Sequence, residues 1–192
     1  MAYIFCMKKI FPMLLLFMLV PFLQGPQQPL DPSNNAVWHN AMGLEYMSQG
    51  NVPGAISEYK IAIALKADKS VSSAFHNNLG IAYLKLGKPS WAVLCFENAI
   101  SLNPNTFYFY ENLVKAYAKA GRTQEQYRYF KRRSAENFEN SYNWLMLGLI
   151  QERIGQRKNA VKSFQNYILL EPEIVVSQAV KTRIDDIKRA GF

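Results

Sequence analysis

Gly50, Gly87, Gly121 and Gly155 are separated by 37, 34 and 34 residues, and a sustained period of that length marks a chain that stacks one supersecondary unit on the next. Units of this kind cannot bury their apolar faces alone, so most of the chain must form an array in which each unit is covered by its neighbours. Before each of these glycines run about fourteen residues with apolar groups three and four apart, for example Leu79, Ala82, Tyr83 and Leu86. That spacing places them on one face of an amphipathic helix. A left-handed residue after the last helical turn is cheap only for glycine, so the four glycines are expected to stop one helix before a second begins. Pro53 and Pro89, just after two of the stops, suit the first turn of the second helix, where a missing N–H matters little.

A second set, Gly43, Gly80 and Gly148, stands seven residues before three of the stops, with Val114 at the fourth position. These glycines fall inside the first helix, where glycine costs about 1 kcal/mol relative to alanine. Close helix contact is the expected compensation, with Ala55, Ala92 and Ala160, twelve residues later, as the matching small residues. In the third unit Val114 and Gln126 replace both members of the small pair, which predicts an irregularity in the stack there.

The residues His76, Leu79, Gly80, Tyr83, Ala92, Phe96 and Pro104, and again Trp144, Leu147, Gly148, Gln151, Ala160, Phe164 and Pro172, carry a close resemblance to the tetratricopeptide repeat, whose pattern is W-x2-L-G-x2-Y, then A-x3-F, then P. His39, Met42, Gly43, Tyr46, Ala55, Tyr59 and Ala67 match it more loosely, and Tyr110, Leu113, Val114, Tyr117, Gln126, Phe130 and Phe138 diverge most. Repeats are therefore expected over 36–69, 73–106, 107–140 and 141–174, with an insertion near Ser70 to Ser72. Residues 175–192 read as a capping helix and tail, with Val176, Val180, Ile184 and Ile187 on one side and Lys181, Asp185, Lys188 and Arg189 on the other. The expected fold is an all-α solenoid of four helix-turn-helix repeats sealed by that cap, since terminal repeats need a polar outer face.

What the resemblance implies about function is a concave groove, lined by the first helix of each repeat, that holds a protein or peptide. Its groove positions fall here on Val37, Asn40, Leu44, Met47 and Ser48, on Ala74, Asn77, Ile81, Leu84 and Lys85, on Tyr108, Glu111, Lys115, Ala118 and Lys119, and on Tyr142, Leu145, Leu149, Glu152 and Arg153. The groove would be apolar at its N-terminal end and basic toward the other. Lys85, Lys119 and Arg153 recur at intervals of 34, with Lys115 one turn from Lys119. As a ladder they would attract acidic side chains or a carboxylate. As helix-terminal cations they would also complement the helix dipole, by about 0.3 to 1 kcal/mol each. Asn78 and Asn112, also 34 apart, occupy a position that in some family members grips a peptide backbone.

No sequence pattern points to catalysis. The chain lacks G-x-G-x-x-G, G-x-x-x-x-G-K-[ST], G-x-S-x-G and H-E-x-x-H, and with them the phosphate cradle, nucleophile elbow and zinc helix that these patterns build. His39 and His76 are equivalent residues of adjacent repeats, standing where the pattern has a bulky aromatic, and read as packing rather than as metal ligands. Cys6 and Cys95, the only cysteines, supply no metal site or disulfide framework. No catalytic residue, cofactor, metal or small-molecule substrate is expected. The net charge of +8 admits an anionic partner or simple solubility. Arg128, Lys131, Arg132 and Arg133 form the densest basic segment. They read as a solvated stripe behind the packing residues Tyr127 and Phe130, with an anionic membrane or wall surface as an alternative partner and nucleic acid not expected.

At the N-terminus Lys8 and Lys9 precede Ile10 to Leu23, fourteen residues without a charged or hydrogen-bonding side chain. At 1.5 Å per residue these reach about 21 Å of a roughly 30 Å hydrocarbon core, so residues 1–25 read as a secretory signal or a short retained membrane anchor. The small residue best placed for cleavage is Gly25, and Met7 is an alternative start. Removal would lower the charge from +8 to +6, because Lys8 and Lys9 are the only charged side chains lost. Residues 26–35, rich in proline and glutamine, read as an extended linker. The expected location is outside the cytoplasmic membrane, in the periplasm or cell envelope.

Overall fold

The structure, a computed structural model, describes residues 32–191, and the expected signal segment lies outside them. Among the described residues there are nine helices and no strand: α1 Pro32–Ser48, α2 Val52–Ala64, α3 Lys69–Lys85, α4 Pro89–Leu102, α5 Phe107–Lys119, α6 Thr123–Glu136, α7 Ser141–Arg153, α8 Arg157–Leu170 and α9 Val175–Arg189. None is long and apolar enough to cross a membrane. Pairs α1/α2, α3/α4, α5/α6 and α7/α8 form the four units, and successive first helices α1, α3, α5 and α7 adjoin one another.

The helix stops are built alike in all four units. Gly50, Gly87, Gly121 and Gly155 have φ of +78, +74, +71 and +82°. The N–H of the following residue returns to the carbonyl five residues back, Asn51 to Tyr46, Lys88 to Tyr83, Arg122 to Tyr117 and Gln156 to Gln151, at 2.8 to 2.9 Å. This satisfies carbonyls that a helix end would otherwise leave unpaired. The second helix α2 then starts on Asn51, whose side chain accepts the Gly54 N–H at 3.0 Å, and prolines stand in the first turns of α2 and α4.

Two linear expectations shift by a turn. Residues 32–35, assigned to the linker, are the first turn of α1, since proline is preset for a first helical position. The insertion near Ser70 to Ser72 forms no separate loop. It lengthens α3, which has 17 residues where α5 and α7 have 13, and Asp68 caps it by accepting the Val71 N–H at 3.0 Å.

The atoms nearest the inner glycines belong to aromatic rings one turn beyond the alanines expected to match them. A Cβ on Gly43 would stand 2.4 Å from Tyr59, on Gly80 2.6 Å from Phe96 and on Gly148 2.5 Å from Phe164. Ala55, Ala92 and Ala160 are fully buried one helical turn before those rings. In three of the four units the first helix therefore lays bare backbone against an aromatic ring of its partner. In the third unit Val114 occupies the place of that bare backbone, and α5 and α6 diverge where the other three pairs stay close along their length. Tyr142 of α7 fills the opening, with its ring 6.1 Å from Tyr110 of α5 and 5.7 Å from Phe130 of α6.

A continuous core runs from Ala55 to Ile187. The cap α9 completes it by burying Val176, Val180, Ile184 and Ile187 and leaving Lys181, Asp185, Lys188 and Arg189 exposed. Ser177, buried at the start of α9, donates to the Glu171 carbonyl and ties the cap to the end of α8.

Candidate functional site

The face formed by α1, α3, α5 and α7 is knitted by side-chain amides. Lys115 Nζ donates to Asn112 Oδ1 at 3.4 Å, Asn112 Nδ2 to Asn77 Oδ1 at 2.9 Å, Asn77 Nδ2 to Asn78 Oδ1 at 3.5 Å, and Asn78 Nδ2 to Asn40 Oδ1 at 2.9 Å. This chain crosses three repeats, and every donor points the same way, from α5 toward α1. Asn78 and Asn112 thus each spend one amide N–H on the neighbouring helix and accept one bond at Oδ1, which leaves each one N–H and one lone pair for a ligand. Asn77, expected as a contact residue, is buried, because it is the link between α3 and α5.

The apolar end of the face is open to solvent. Val37, Leu44 (49% exposed), Ile81 (39%) and Tyr108 project from α1, α3 and α5, and Met47 is half-buried against the core. At the fourth repeat the equivalent of Leu44 and Ile81 is Leu149, which is 5% exposed and joins the core that α9 completes. Leu149 is therefore wall rather than contact surface. Tyr142 is divided between roles, partly exposed yet wedged into the third hairpin. Burial, with the carboxylate of Glu97 nearby, pushes its phenol well above the ordinary tyrosine value.

Lys85, Lys119 and Arg153 stand in the last turns of α3, α5 and α7. All three are exposed, and none has an acidic side chain within ion-pair distance among the described residues. The helix dipole therefore has its complement in each case, and the charge remains open to solvent.

A contributor absent from the sequence reading is Arg183 of α9. Its Nε lies 3.0 Å from Glu152 and its Nη2 3.6 Å from Glu111, bridging α7 and α5 from the cap. The three side chains, with Val114, Lys115, Leu149 and Arg153, edge a cleft of about 290 Å³. Nothing at the 34-residue period pointed to Arg183, because it belongs to the unrepeated helix.

Elsewhere the chemistry is structural. His39 Nδ1 donates to Glu58 at 2.7 Å, while His76 is tucked in so that its Nδ1 is buried without a partner and burial holds its pKa below the ordinary value. The Cys95 thiol is buried and pushed up to about 11 by that burial. Among the described residues no three histidine, cysteine or acidic side chains gather as a metal site would require. On α6, Arg132 and Arg133 both lie 3.7 Å from Glu136, and Lys131 stands over the Tyr127 ring at 5.7 Å, so part of that basic segment has partners of its own.

The family model of the tetratricopeptide repeat matches the chain twice, over residues 73–106 and 141–174. Among curated proteins none matches. Solved structures align over most of the chain at low identity. The MamA protein aligns with TM-score 0.47 and 18% identity, covering 81% of this chain and 87% of that one. A tetratricopeptide repeat protein from Parabacteroides merdae gives 0.49 and 17%, with 81% and 61% covered. YrrB, described as having an unusual peptide-binding site, gives 0.44 and 17%, with 77% and 74% covered.

Proposed function

The chain is a tetratricopeptide-repeat protein, and from that premise we propose that it is a non-catalytic scaffold holding a protein or peptide segment on the face of α1, α3, α5 and α7. Stacked helix pairs of this family leave an extended inner surface suited to such a ligand. The observation that carries the reading is the division of this face. Apolar Val37, Leu44, Ile81 and Tyr108 stand exposed on its early helices, while Lys85, Lys119 and Arg153 add a cation without an acidic partner at the end of three successive first helices. A segment with apolar residues followed by acidic ones would satisfy both halves, by burial at one end and by charge at the other. The residues we assign to contact are Leu44, Met47, Asn78, Ile81, Lys85, Tyr108, Asn112, Lys115, Lys119 and Arg153.

The basic n-region and fourteen-residue apolar run at positions 8–23 support export, and we place the scaffold in the cell envelope, where a retained N-terminal segment would hold it at the membrane. A role in envelope complex assembly, secretion or pilus biogenesis follows by family analogy alone.

A photo-crosslinking residue at Ile81 is expected to give adducts in the native cell, and one at Leu169, 72% exposed on α8, to give none. Changing Lys85, Lys119 and Arg153 together to glutamate should remove the Ile81 adducts while the helical circular dichroism stays intact. Adducts that persist unchanged in the triple variant would refute the role of the ladder, and equal adducts at Leu169 would refute the face.

A further inference from the structure

The cleft beside Arg183 holds charges whose pairing decides what it can bind. Glu111 and Glu152, about a quarter exposed or less (26% and 21%), are close enough for one guanidinium to touch both. Arg183 does so from α9, at 3.0 Å to Glu152 and 3.6 Å to Glu111. Neighbouring carboxylates facing one cleft repel each other, and a shared arginine relieves that repulsion with geometry a lysine could not match. Both acids are thereby engaged, while Lys115 and Arg153 on the same cleft have no carboxylate within ion-pair distance among the described residues. The cleft carries three cations against two acids, and its open charge is positive. Removing the guanidinium would leave two cations against two unpaired acids and erase that sign.

Arg183 is also separable from the packing of its helix. The core stripe of α9 is Val176, Val180, Ile184 and Ile187, whereas Arg183 lies on the flank with its guanidinium in the cleft. Its charge can therefore be changed while an unbranched stem is kept. The recess, about 290 Å³, accommodates a side chain and does not match the flat surface of a bilayer.

We propose that Arg183 is a specificity-determining residue which, by bridging Glu111 and Glu152 and offsetting one of their two charges, makes the cleft between α5, α7 and α9 accept an acidic side chain of the bound segment on Lys115 and Arg153. The proposal rests on the reading of this face as a peptide-holding surface and names the chemistry of its C-terminal end. The cap helix is then both the seal of the solenoid and a wall of the binding face.

The test pans the full chain against a display library of random dodecapeptides, in parallel with R183M and with R183M/E111Q/E152Q. The wild type is expected to enrich sequences rich in aspartate and glutamate. R183M should weaken a selected acidic peptide by about tenfold and lose the acidic bias. The triple variant, in which the two uncovered acids are neutral, should recover it, which a merely structural role for Arg183 would not produce. An acidic bias that survives in R183M, or one that the triple variant fails to recover, overturns the proposal. Wild-type enrichment without acidic bias overturns it while leaving peptide binding standing, and no enrichment at all overturns both. Sedimentation with phosphatidylglycerol vesicles that R183M weakens, with no acidic bias in the library, would assign the cleft to lipid and equally overturn it.

Discussion

Gly148→Ala is the sharpest probe of how these helix pairs are held. An added Cβ would lie 2.5 Å from both Cδ1 and Cε1 of Phe164, whereas carbon atoms in contact settle near 3.5 to 4.0 Å. The ring must retreat by roughly 1 Å, and it cannot swing outward because Phe164 is fully buried. Overpacking of this kind costs about 1–3 kcal/mol, and replacing a helical glycine returns about 1 kcal/mol. The net expectation is a loss of up to about 2 kcal/mol, or up to roughly 8 °C in Tm for a chain of this size. Urea unfolding followed by circular dichroism measures it, in a double-mutant cycle with Phe164→Val, which keeps no atom beyond Cγ. In the valine background Gly148→Ala should be neutral or stabilising by up to about 1 kcal/mol. Gly155→Ala is the control. Its φ of +82° makes any side chain strained, by about 1–2 kcal/mol, although nothing stands within 4 Å of the added Cβ. Valine at 164 should not relieve that loss. If Gly148→Ala costs the same in both backgrounds, contact with the ring is not why glycine stands there.

Two further outcomes follow from the core. Val114→Gly together with Gln126→Ala gives the third pair the small residues of the others, so spin labels at Tyr108 and Ala135, both exposed, should move closer by a few ångströms toward the usual 8–10 Å interaxial packing; an unchanged distance would mean that Tyr142, not Val114, holds the hairpin open. Alkaline pH should unfold the protein cooperatively. Burial raises Cys95 to about 11 and Tyr59, Tyr110 and Tyr167 to about 12, so the unfolded chain releases these protons first, and stability should fall as pH rises above about 9 and through 10. Urea midpoints that do not fall between about pH 8 and about pH 11 would contradict this.

The division between sequence and structure runs along the repeat. A residue whose role is set by its own backbone or by its own helix pair was legible, as with the turn glycines, the amphipathic faces and the apolar stripe of α9, because those roles recur every 34 residues and reinforce one another. The irregular third unit was also visible, since Val114 and Gln126 break the pattern together. For the inner glycines, spacing pointed to Ala55, Ala92 and Ala160 and missed the rings that come nearest. Spacing shows which residues are small, but only packing shows that the bare backbone rests on Tyr59, Phe96 and Phe164.

The candidate site was less legible, because its determinants lie between units. Asn77 and Leu149 carry groove spacing like their equivalents, yet one links α3 to α5 and the other meets the core under the cap. Asn78 and Asn112 look free in the sequence and are hydrogen-bonded across repeats in the fold. Arg183 has no equivalent at the 34-residue period, and its importance exists only because α9 brings it to Glu111 and Glu152. By itself the sequence determined the helices, their stops and their stacking, since those follow from local propensity and a repeated apolar face. The tertiary structure alone decided which polar groups remain open to a partner, because a hydrogen bond or ion pair depends on distance between elements, and that distance is written in no single repeat.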